Sequence, residues 1–195
     1  MSNFIKTLLF IFSLFSLTTV NAFSSNEVSQ MSNNQCLVLT LKNGDVYIKL
    51  RDDLAPTHVA RVSELAQQGF YNGVSFHRVI DGFMAQTGDP TGTGSGGSGK
   101  NIKAEFSKER HIRGTVSMAR AASPDSADSQ FFIVYAPAAY LDGQYTIFGQ
   151  VVKGMEFVDM IRKGDPANNG SVVNPDKITS ARIIEGPDCL NAVVQ

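Results

Sequence analysis

Apolar residues in this chain gather into short runs separated by turn-forming residues, and only two stretches carry helical spacing. Residues 36–41 and 46–50 are β-prone runs on either side of Asn43-Gly44, a dipeptide suited to a tight hairpin turn, so the folded part opens on an antiparallel hairpin. Pro56 then starts a helix in which Val59, Val62, Leu65 and Ala66 share one face, with Gly69 as its stop. Further β-like runs follow at 74–80, 83–86, 114–119, 130–135, 145–152 and 178–184. Met155, Val158, Met160 and Ile161 suggest a second helix, ending at Gly164. About eight short strands with two helices and little β-helix-β spacing predict an antiparallel barrel or sandwich.

The first 22 residues stand apart. One cation, Lys6, precedes an apolar stretch from Leu8 to about Val20, and Val20-Asn21-Ala22 follows it. This is the order of a cleavable secretory signal. The stretch is broken by Ser13, Ser16, Thr18 and Thr19 and is too short for the roughly twenty apolar residues of a membrane span. Residues 1–22 are therefore expected to be a signal peptide and 23–34, rich in Ser and Asn, a flexible lead-in. The domain proper is expected at 35–195, in a protein exported to a bacterial periplasm.

Composition narrows the function. With 17 Lys+Arg against 18 Asp+Glu in 195 residues the net charge is −1, and loss of residues 1–22 removes one base and no acid, leaving −2. A nucleic-acid partner, which calls for a clustered basic face, is not expected. Within residues 89–100, Gly92 to Gly97 fits G-x-G-x-x-G and Gly94 to Lys100 fits G-x-x-x-x-G-K. Neither has the strand-to-helix context of a nucleotide loop, and Asn101 replaces the Ser or Thr that would hold Mg²⁺. His58, His77 and His111 lack metal-ligand spacing, and no G-x-S-x-G elbow occurs, so neither a metal nor a serine hydrolase is expected.

What remains is aromatic, aliphatic and uncharged polar chemistry around one cation. Phe76-His77-Arg78, Gly82-Phe83-Met84-Ala85-Gln86, Ser117-Met118-Ala119, Ser129-Gln130-Phe131-Phe132-Ile133 and Leu141-Asp142-Gly143 follow one another on separate strands and loops. In this order they resemble the cyclophilin-type peptidyl-prolyl cis-trans isomerases, over residues 36 to about 187. The resemblance implies a closed eight-stranded antiparallel β-barrel capped by two α-helices, no metal and no cofactor. It implies Arg78 and Gln86 as the catalytic pair. Phe83, Met84, Phe132, Leu141 and Tyr145 would seat a proline ring, and Ala119, Arg120 and Gln130 would line the groove for the residues before it.

The chemistry fits these residue types. Amide rotation costs ~18–20 kcal/mol because resonance stiffens the C–N bond. A donor aimed at the nitrogen lone pair that appears as the bond twists binds the transition state better than the planar ground state. Arg suits that task because it stays charged and presents a rigid fork. The implied partners are unfolded or flexible proline-containing polypeptides, met by a monomer. The competing reading is a proline-peptide binding chaperone whose catalysis is incidental.

Three positions depart from the drug-sensitive eukaryotic pattern: Tyr140 stands for Trp, Tyr145 for His and Arg120 for Asn. Weak or no cyclosporin binding is expected, since an indole N–H donor is missing at Tyr140. Phe76, Met118, Phe131 and Ile133 read as core by alternation, and His77 as structural because it points away from Arg78. Cys36 begins the first strand and Cys189 follows the last, so a disulfide between them is expected in an oxidising compartment.

Overall fold

The computed structural model describes residues 35–194. The expected signal peptide and lead-in, 1–22 and 23–34, lie outside the described residues. Eight strands, β1 (Gln35–Leu41), β2 (Gly44–Leu50), β3 (Arg78–Ile80), β4 (Met84–Thr87), β5 (Thr115–Met118), β6 (Phe131–Val134), β7 (Ile147–Lys153) and β8 (Ser180–Glu185), make one sheet. Its order is β3-β4-β6-β5-β7-β2-β1-β8, and every pairing is antiparallel.

The closed barrel expected from the resemblance is corrected to a half-barrel, because no ladder joins β8 back to β3 among the described residues. The edge of β3 has other partners. Val79 donates to Gly170 O at 2.8 Å, and its carbonyl accepts from Gly164 N–H at 2.9 Å, so the segment after 163 takes the bonds a closing strand would need. Below this, residues 73–76 meet 176–178 through Gly73 N–H to Ile178 O (2.7 Å) and Phe76 N–H to Asp176 O (2.9 Å). The run at 74–80 is accordingly a strand only over Arg78–Ile80.

Among the described residues three α-helices, not two, accompany the sheet: α1 (Pro56–Gln67), α2 (Met155–Asp159) and α3 (Pro187–Val194). Helix α1 buries Val59, Val62, Leu65 and Ala66, as its spacing predicts. Its N-cap, Ala55, offers no side-chain acceptor. Glu105 substitutes from far along the chain, its carboxylate accepting the N–H groups of Thr57 and His58 at 3.1 Å each and His58 Nδ1 at 2.7 Å. Helix α2 stops at Asp159, before the expected Gly164, where Ile161 N–H turns onto Val158 O at 3.1 Å. Helix α3 is joined to β1 by a disulfide between Cys36 and Cys189, both buried.

In the hairpin Leu41 faces Gly44, and the turn residues are Lys42 and Asn43. Gly44 is required for close approach, since the Phe157 ring of α2 lies where its Cβ would be. The half-barrel interior is filled by Leu37, Leu39, Ile48, Phe76, Phe131, Ile133 and Phe148 under α1. Each such side chain contributes ~1.5–3 kcal/mol by leaving water. Edge-to-face pairs order the aromatics, Tyr71 with Phe131 at 5.5 Å and Phe131 with Phe148 at 5.8 Å.

The glycine-rich segment is built around a buried acid. Asp89 accepts from Thr91 N–H and Oγ–H at 2.7 Å each, Gly94 N–H at 2.6 Å and Gly96 N–H at 3.1 Å. Burial pushes its pKa up, but the Thr91 hydroxyl and N–H with the Gly96 and Gly94 amides outweigh it and hold the carboxyl at about 2.

Candidate active site

Strand alternation sorts the residues of β3, β4 and β6 onto two faces. Val79, Ala85, Phe131 and Ile133 belong to the interior core. Met84, Phe132 and Val134 turn to the other face and pack with Leu141, Ile80, Phe83, Ala119 and Tyr145. Register then sets a row across the strands: Arg78 opposite Gln86, Gln86 opposite Phe132, and Phe132 opposite Ser117 of β5. Cross-strand neighbours on one face stand about 4.5–5.5 Å apart at Cβ, so a cation, an amide and an aromatic ring are brought side by side by pairing alone.

A cavity of about 380 Å³ opens over this row. Arg78, Phe83, Met84, Gln86, Ala119, Arg120, Phe132, Tyr140, Leu141 and Tyr145 all line it, together with Gln144. Gln130 does not; it lines a neighbouring cavity of about 390 Å³, which also includes Gln86, Ala119 and Arg120. The floor is dry, with Met84 1%, Phe132 5% and Leu141 6% exposed, whereas Tyr140 on the rim is 64% exposed. Phe132 is held by Tyr145 edge-on at 5.9 Å and by His111 stacked at 6.3 Å.

Arg78 is fixed on three sides. Its Nη1–H donates to Gln86 Oε1 at 3.1 Å, Nε–H to the Asn169 carbonyl at 3.0 Å and Nη2–H to Asn169 Oδ1 at 3.0 Å. Gln86 passes the chain on, its Nε2 donating to Gln130 Oε1 at 2.9 Å, and Gln130 Nε2 donates to the carbonyls of Gly94 (3.0 Å) and Gly96 (2.8 Å). Burial pushes the Arg78 pKa down, with Tyr140 and Tyr145 opposing, and no carboxylate pairs with it among the described residues. A guanidinium remains charged at neutral pH even so. The site therefore offers a positioned, unneutralised cation with N–H groups to spare beside an apolar slot.

Asn169 is one of two site residues that sequence reasoning missed. It adopts the left-handed conformation, φ 50°, at the end of the turn Pro166–Asn168. The dipeptide Asn169-Gly170 was the available signal, since Asn tolerates that conformation better than other side chains. Gln144 was also missed; its carbonyl accepts from Arg120 Nε (3.2 Å) and Nη2 (3.1 Å).

His111 supports the slot from beneath. Asp142 Oδ1 accepts its backbone N–H at 2.8 Å and its Nδ1–H at 3.0 Å, while Nε2 lies 3.1 Å from Ser117 Oγ, whose own proton goes to the Thr146 carbonyl at 2.9 Å. Burial pushes the His111 pKa down, and Asp142 pulls the other way. His77 lies behind Arg78 with its side chain 8% exposed and its ring nitrogens unbonded; burial lowers its pKa too. Among the described residues no cluster of three His, Cys, Asp or Glu could hold a metal.

Comparison with known proteins identifies the family. Residues 36–183 match the family model described as cyclophilin type peptidyl-prolyl cis-trans isomerase/CLD. A protein of Brucella suis named probable peptidyl-prolyl cis-trans isomerase is 54% identical over 159 residues, covering 75% of this chain and 81% of its own. Peptidyl-prolyl cis-trans isomerase B of Bacillus subtilis is 44% identical over 128 residues, 64% of this chain and 89% of its own. A cyclophilin-type isomerase of Cryptosporidium parvum, crystallised in the presence of the dipeptide Ala-Pro, superposes with a TM-score of 0.71 at 30% identity, covering 77% of this chain and 99% of that one. With Arg78, Gln86 and Phe132 in one cross-strand row and the family model spanning most of the described residues, the chain belongs to the cyclophilin-type peptidyl-prolyl cis-trans isomerases.

Proposed function

We propose that this protein accelerates rotation about Xaa-Pro bonds in unfolded or flexible polypeptides after export, using Arg78 as the catalytic donor. One observation carries the reading: the Arg78 guanidinium, clamped by Asn169 and Gln86, stands over a cavity floored by Met84, Phe132 and Leu141. A proline ring fits that floor, where it loses water as the side chains close around it. As the imide twists, its nitrogen becomes pyramidal and gains a lone pair, which accepts from a spare Arg78 N–H. The planar ground state offers no such acceptor, so the interaction lowers the barrier rather than tightening binding. Gln86 holds the guanidinium in aim and presents its amide to the substrate carbonyl. Raising a rate of order 10⁻² s⁻¹ to order 10³ s⁻¹ asks for about 7 kcal/mol. A preorganised charged donor supplies roughly 3–4 kcal/mol of that, and orientation in a desolvated slot the rest.

Ala119 and Arg120, with Gln130 beyond them, take the residues preceding proline. Cyclosporin binds weakly or not at all, because Tyr140 presents a phenol on the rim instead of an indole N–H. The protein acts as a monomer in the periplasm, a placement supported by the signal-like pattern at 1–22. The test is a protease-coupled assay of a prolyl peptide: Arg78→Ala loses at least 100-fold in kcat/KM while its circular dichroism matches the parent. A variant that isomerises within threefold of the parent removes Arg78 from the chemistry.

A further inference from the structure

The cavity over Phe132 is lined by two cations, Arg78 and Arg120, and by no carboxylate. Arg78 is committed to the twisting bond. Arg120 has a different setting. Its Nη1 donates to the carbonyls of Ala121 at 3.0 Å and Ala122 at 3.2 Å, and its Nε and Nη2 to that of Gln144. The guanidinium lies 4.6 Å from the centroid of the Tyr145 ring. Each of these partners is neutral, and no Asp or Glu pairs with Arg120 among the described residues. Four N–H groups are spent on holding it still and one remains on Nη2, so the full positive charge is pinned in place and open to a substrate.

Its position decides which part of a substrate feels it. Arg120 lines both the 380 Å³ and the 390 Å³ cavities and so stands on the ridge between them. The second cavity carries an acid of its own, Asp128, which accepts from Gly99 N–H at 2.8 Å and from the Ser98 hydroxyl. A substrate carboxylate deep in that cavity would meet Asp128. On the ridge, before the chain descends, it meets Arg120 alone. On the proposed reading, in which Ala119 and Arg120 take the residues preceding proline, the residue directly before proline lies on this ridge.

We propose that Arg120 selects substrates with a carboxylate side chain immediately N-terminal to proline, Glu-Pro and Asp-Pro over Lys-Pro. This deepens the isomerase reading and rests on it. The pairing forms in ground and transition states alike, so it lowers KM and leaves kcat little changed. An exposed ion pair changes affinity by up to about fivefold.

The experiment measures kcat/KM for Ala-Xaa-Pro-Phe anilides with Xaa = Glu, Gln or Lys on the full chain. Glu exceeds Gln by about three- to fivefold, Lys falls below Gln by a similar factor, and both ratios approach one in 1 M salt, where the screening length is about 3 Å. In Arg120→Gln the Glu/Gln ratio drops to about one, in Arg120→Glu it inverts, and Arg120→Lys restores part of it. Because each variant is scored by a ratio between peptides, partial unfolding cancels, and a merely structural role would move all three peptides together. A Glu/Gln ratio near one in the parent, or one unchanged in Arg120→Gln, overturns the proposal while isomerisation persists. Failure to accelerate any of the peptides overturns the isomerase reading itself.

Discussion

Replacing Asn169 tests whether Arg78 owes its aim to the irregular segment that covers the edge of β3. Asn169 contributes twice, through its backbone carbonyl to Nε and its amide oxygen to Nη2, both at 3.0 Å. Asn169→Gly keeps the left-handed backbone, and with it the carbonyl contact, but deletes the amide oxygen. A hydrogen bond to a charged group is worth about 1.5–3 kcal/mol in mutational series, and solvent access at this site brings that to about 1 kcal/mol. The expected result is a three- to tenfold loss of kcat/KM, carried by kcat, with the melting temperature no more than about 2–4 °C below the parent. Asn169→Ala deletes the same oxygen and also forces a Cβ-bearing residue to keep φ 50°, a further ~1–2 kcal/mol. It should match Asn169→Gly in turnover and melt roughly 2–6 °C lower. The assay is NMR exchange on a prolyl peptide, with calorimetry alongside. If Asn169→Gly keeps kcat/KM within twofold of the parent, then Gln86 and the backbone carbonyl alone position Arg78, and the clamp described here is redundant.

Two further outcomes follow from the supports around the site. Burial depresses the His111 pKa, so the folded state binds that proton less tightly than the unfolded chain. The contribution of the neutral ring is complete above about pH 6.5 and is lost as pH falls through the folded value, so acid should destabilise the fold below about pH 6.5. An NMR titration of His111 with a midpoint at or above 6.5 would contradict this. The Cys36–Cys189 disulfide closes a loop with a sequence separation of 153. Chain entropy puts its stabilisation at up to about 5 kcal/mol. The double Cys→Ser variant should lose much of that in urea unfolding yet keep kcat/KM within twofold, because the bond lies on β1 and α3, outside both cavities; a loss of turnover in the folded variant would show that the sheet transmits its strain to the site.

Much of this structure is legible in the chain, and the exceptions share a cause. The hairpin, the face of α1 and the outward turn of Phe132 beside inward Phe131 are set by neighbours in sequence, so local pattern reveals them. The seam between β3 and β8 is not local. Residues 74–77 carry a strand-like pattern, yet their partners are single bonds to 172 and to 176–178 rather than a ladder. The cap of α1 escapes for the same reason, since Glu105 lies 47 and 48 residues from the amides it accepts. At the site, the family motifs name Arg78, Gln86 and Phe132, but the clamp on Arg78 comes from an Asn 91 residues away whose main contribution is partly its main chain. Helix α3 is the exception to that cause, since its start is marked locally by Pro187 with Asp188 beside it.

The arrangement around Asp89 bears on the reading of glycine-rich loops in general. Main-chain amides that converge in this way make a nest suited to a phosphate group. Here the nest is already filled from within, because the Asp89 carboxylate takes the Thr91, Gly94 and Gly96 amides, and the missing Cβ of Gly96 is what lets it in. An acidic residue a few positions ahead of such a loop thus marks it as self-occupied, holding its own counterion where a nucleotide would otherwise sit.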